Sequence, residues 1–67
     1  MATAQMNHCE VVCLVNGQIT GTRDNVDLSG ARPWSDRDAD RWPQATRQRG
    51  DGARAVVLNG DLLFVWE

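Results

Sequence analysis

The sequence predicts an α+β, mainly β protein: two antiparallel hairpins in one sheet, with a short helical insert between them (β-β-α-β-β). Three observations carry this. Two Asn-Gly pairs, Asn16-Gly17 and Asn59-Gly60, each sit between β-branched and apolar residues. A polar Asp- and Arg-rich segment flanked by Trp34 and Trp42 separates them. The chain has only 67 residues, room for one small domain.

At the N-terminus, residues 1–8 are polar and aperiodic, which predicts a disordered tail and a domain over 9–67. The tail lacks the positively charged start and apolar run of a secretory signal. No stretch approaches the roughly 20 apolar residues of a membrane-spanning helix. The expectation is a cytoplasmic protein with reduced thiols.

The first hairpin is expected in "CEVVCLVNGQITGTR". An Asn-Gly pair suits a type I′ turn, because both central residues there need positive φ. A two-residue loop pairs Val15 with Gln18, Leu14 with Ile19, Val12 with Gly21 and Glu10 with Arg23, setting an acid opposite a base. Residues 24–34 read as a loop with Val26 and Leu28 dipping inward. Ser35 followed by Asp38 has the spacing of a capping box, so one or two helical turns are expected over about 36–42. Pro43 interrupts it, and a second short turn after it is expected to lead into the loop at 49–52. Trp34 and Trp42 are expected to pin the insert to the sheet.

The second hairpin, "ARAVVLNGDLLFVWE", is apolar on both faces. A two-residue loop at Asn59-Gly60 pairs Leu58 with Asp61, Val57 with Leu62, Val56 with Leu63, Ala55 with Phe64 and Arg54 with Val65. One stripe is then Val57, Leu62, Phe64 and Trp66; the other is Val56, Leu58, Leu63 and Val65. Sheets with one wet face alternate apolar and polar residues, whereas doubly covered strands do not. An alternative is a small SH3- or Sm-like barrel, in which Val26–Leu28 adds a strand.

Chemistry-bearing motifs are few. Cys9 and Cys13 lie about 13 Å apart on an extended strand at roughly 3.3 Å per residue, too far for a disulfide. With His8 they lack the fourth ligand of a zinc site, so no metal and no cofactor is expected. The run Asp36, Asp38, Asp40 imitates a calcium loop, but Arg41 and Arg47 stand where that loop needs Gly and Glu; a solvated helix start is expected instead. The chain has one His, no Tyr and no Lys, and no Ser in a nucleophile motif. No enzyme and no small-molecule substrate are expected.

Two partner classes follow. The second apolar stripe of the C-terminal hairpin has no evident cover, so Val56, Leu58, Leu63, Val65 and Trp66 are candidate protein-interface residues, in a homodimer or against a partner protein. The expected function is then a non-enzymatic protein-binding module that acts by occlusion. Its size and Arg-only basic content suit a phage or mobile-element accessory protein that inhibits a host machine. The alternative is an RNA- or DNA-binding regulator using Arg41, Trp42, Arg47, Arg49 and Arg54, where four Arg face one Asp. The net charge of −2 disfavours non-specific duplex binding.

Overall fold

Five strands, β1 (His8–Val12), β2 (Ile19–Asp24), β3 (Arg32–Pro33), β4 (Arg54–Leu58) and β5 (Asp61–Trp66), make one antiparallel sheet in the order β2-β1-β5-β4-β3. The computed structural model describes residues 6–13, 16–42 and 52–67. The sheet is open, with β2 and β3 at its edges, so the barrel alternative does not hold. Val26–Leu28 forms no strand. The fold is mainly β, and among the described residues the helical insert is a 3-10 helix, Asp36–Asp40, in place of the expected α-helix.

The second hairpin keeps the predicted register, from Arg54 opposite Val65 to Leu58 opposite Asp61. Asn59 (φ 52°) and Gly60 (φ 82°) both lie in the left-handed region, as a type I′ turn requires. The first hairpin departs from its predicted register. Val12 pairs with Ile19 and Glu10 with Thr22, so the expected Glu10–Arg23 pairing is lost. The Cys13 N–H donates to the Gln18 carbonyl, which encloses a four-residue loop over 14–17. The register shifts between Val11 and Val12, leaving Thr20 as an extra residue beside Gly21. Leu14 and Val15 lie outside the described residues.

The hairpins meet along β1 and β5, from His8 opposite Trp66 to Val12 opposite Leu62. β5 therefore has a strand on either side and a covered face above and below, which explains its near-continuous apolar sequence. Val12, Ala55, Val57, Leu62 and Phe64 are buried on one face with Trp42 and Ala53, against half-buried Trp34 and Trp66. Cys9, Val56, Leu63 and Val65 are buried on the other, against Val11, Val26, Leu28, Ala31 and Leu58.

One connection covers both faces. Residues 25–31, the strap, leave edge strand β2 and reach the opposite edge at β3. Five strands span roughly 19 Å at about 4.8 Å per gap. Eight chain steps from Asp24 to Arg32 reach about 26 Å at roughly 3.3 Å each. The strap is therefore long enough to cross the sheet with some slack, and Val26, Leu28 and Ala31 pack on the second face. Two residues expected to belong to a disordered tail are ordered into the fold: β1 begins at His8 and Asn7 is buried. The Asn7 side chain holds Val26 twice, accepting from the Val26 N–H at 2.9 Å and donating to the Val26 carbonyl at 2.9 Å.

Beyond β3 the chain turns onto the first face. Trp34 N–H donates to the Ala55 carbonyl, and the Trp34 and Trp42 rings pack at 6.0 Å between centroids. Both tryptophans pin the insert, as expected. Asp38 differs from the solvated residue expected at this helix start, because it is only 2% exposed. Its carboxylate accepts from both terminal nitrogens of Arg32, at 2.8 and 2.6 Å, and from the Ser35 N–H at 2.8 Å. The Arg32 guanidinium holds the carboxyl well below its usual range; burial opposes this shift and the Ser35 N–H reinforces it.

Candidate functional site

The apolar stripe expected to face a partner is not exposed. Val56, Leu63 and Val65 are at most 2% exposed, and Leu58 is half-buried, under the chain's own Val26, Leu28 and Ala31. Trp66 is on the opposite face, half-buried against the cluster that includes Trp42 and Phe64. The stripe expected to need a partner is thus covered within the chain. A seven-residue strap with three small or medium apolar side chains suffices to close that face.

The Arg-rich surface fares similarly. Trp42 is 1% exposed, with the Arg41 guanidinium 4.8 Å from its ring centroid, so it offers no face to a nucleic-acid base. Arg54 sits on the strap face of β4, opposite Val65, and pairs with Glu67. Arg41 and Trp42 belong to the segment covering the other face, so Arg54 does not share their surface. Arg47 and Arg49 lie outside the described residues, as do the turn expected after Pro43 and most of the 49–52 loop.

Cys9, rather than Cys13, is the fully buried thiol; burial raises its pKa. Among the described residues no group of His, Cys, Asp and Glu is placed to hold a metal ion. No helix among them is long and apolar enough to cross a membrane.

The longer of the two edge strands is β2, all six residues of which are exposed. Past the Thr20 bulge its residues alternate: Thr22 and Asp24 share a face with Glu10 and His8, whereas Gly21 and Arg23 share the strap face. The Asn25 N–H donates to the Asn7 carbonyl and the Cys13 N–H to the Gln18 carbonyl, which sets the phase of the ladder. By alternation, Gly21 and Arg23 bond inward to β1, whereas Ile19, Thr22 and Asp24 turn their N–H and C=O outward. No described strand pairs with that edge. Ile19, 37% exposed, is one of two large hydrophobic residues exposed among the described residues.

Two side-chain contacts brace β2 from behind. His8 Nδ1 lies 2.7 Å from an Asp24 carboxylate oxygen, with its ring tilted against Trp66 at 5.8 Å. Arg23 lies 3.6 Å from Asp61 across the strap face. These contacts bind the strand to the sheet and, among the described residues, leave its outer edge without a paired strand.

Sequence reasoning missed β2 as a site because its polar alternation reads as an ordinary half-wet strand. The signal lies in topology: once β1 pairs with β5, β2 must be an edge. No family model, curated protein or solved structure matches the chain.

Proposed function

We propose that the protein is a non-enzymatic protein-binding module that docks by adding β2 to a strand of its partner and occludes the surface it covers. The single observation that carries this reading is the exposed six-residue edge β2, set against the short edge β3. Natural sheets blunt their edges with short strands, prolines or charges, as β3 does with two residues and Pro33. β2 carries the Thr20 bulge and the charges of Arg23 and Asp24, but its Ile19, Thr22 and Asp24 still turn main-chain N–H and C=O groups outward, and strand addition draws its affinity from such main-chain bonds. The setting this reading assigns is the cytoplasm, and the mode is inhibition of a host machine by a phage-type accessory protein.

The test is Thr22→Pro. The Thr22 N–H points outward, so proline there removes an edge donor without removing a bond to β1. Affinity capture from lysate by the wild type and by the variant, compared quantitatively, separates the outcomes. A protein held by the wild type and lost by Thr22→Pro, with the circular dichroism of the sheet retained, supports the reading. Equal capture by both removes it.

A further inference from the structure

We infer that residues 25–31 are a latched cover, held by the Asn7 side chain and opening as a unit while the five strands stay paired. The strap's own hydrogen bonds are internal: Ser29 N–H to the Asp27 carboxylate at 3.0 Å and Ala31 N–H to the Leu28 carbonyl at 3.0 Å. They travel with it. The Asn25 N–H to Asn7 carbonyl bond continues the β1–β2 ladder and stays behind.

Among the described hydrogen bonds, the link between strap and sheet is then the two-bond grip of Asn7 on Val26. A primary amide reads a peptide unit here as a neighbouring strand would, with one donor and one acceptor. Asn25, at φ 55°, turns the chain out of β2 at the strap's first residue and serves as the hinge. Val26, Leu28 and Ala31 are each only half-buried. What they hide is fully buried: Cys9, Val56, Leu63 and Val65. Segments with few buried contacts open at lower free energy than the strands beneath them. The chain thus carries a concealed apolar stripe behind a gate with one polar latch.

Cys9 reports the gate directly, because its thiol lies under the strap, 3.5 Å from Asn7 Oδ1. In a Cys13→Ser background, the rate of Cys9 modification by a thiol reagent is measured across low urea concentrations. Local opening gives a rate that rises with urea much less steeply than global unfolding. Asn7→Ala then speeds Cys9 modification about tenfold, the loss of one net hydrogen-bonded anchor, with the sheet retained by circular dichroism. A urea slope equal to that of global unfolding overturns the inference. The urea series needs no change at Asn7, so it decides even where Asn7→Ala loses the fold.

Discussion

The two faces of this sheet are covered by consecutive stretches of the same connection, yet the covers are built differently. The strap lays Val26, Leu28 and Ala31 on one face and is tied by a neutral amide. The segment that follows lays two tryptophans on the other and is tied by a buried carboxylate paired with Arg32. The apolar area of one Trp exceeds that of any strap residue, and charge-assisted bonds are stronger than neutral ones. The difference teaches that two faces of equal hydrophobicity need not contribute equally to stability. The cover decides.

The comparison breaks most visibly at Trp42. Trp42→Ala removes a ring that is 1% exposed, at a cost of about 3–5 kcal/mol. That rivals the whole stability of a domain this small, at about 0.05–0.15 kcal/mol per residue. Circular dichroism of the variant should show an unfolded chain at room temperature. A folded variant with a modest drop in melting temperature would mean that the tryptophan face is no better anchored than the strap.

Asp38 gives the intermediate effect and a pH signature. Its folded pKa lies below the ordinary 3.8, so the unfolded chain binds more protons between the two values. The stability it contributes is fully present above the ordinary value and drains as pH falls toward the folded one. Asp38→Asn should cost about 1–2 kcal/mol at neutral pH, discounted because Arg32 is half-exposed, and should flatten the acid limb of a urea-midpoint against pH plot. An unchanged acid limb would assign the pH dependence elsewhere. The smallest effect belongs to the strap: Leu28→Ala, at a half-buried site, should lower stability by about 1 kcal/mol in urea titration. A loss as large as that of Trp42→Ala would erase the asymmetry.

Much of this was legible in the sequence, and what was not has physical causes. Asn59-Gly60 specified its hairpin outright, because both residues take the positive φ that a two-residue loop demands. Asn16-Gly17 looked equivalent, but there the chain closes through a longer loop and absorbs the mismatch at Thr20. A dipeptide marks a turn without setting its length. The apolar C-terminal hairpin announced two faces in need of cover, but the cover of the second was expected from a partner and comes from Val26, Leu28 and Ala31. Which segment covered which was hidden, since Val26 and Leu28 fit either side until β1 joins β5. Asp38 was read as solvated because its partner, Arg32, lies before the Ser35 cap rather than one helical turn away. The candidate site was the least legible part, as an edge is a property of strand order and not of any residue type.

That order also limits assembly. A sheet with two open edges polymerises, since every addition creates a fresh end for the next. Here Pro33 and a two-residue strand close one end. Anything that joins the other along β2 completes the sheet, and a second copy joining by the same strand would bury both open edges at once. The geometry thus leaves room for one added strand, after which no long edge would remain.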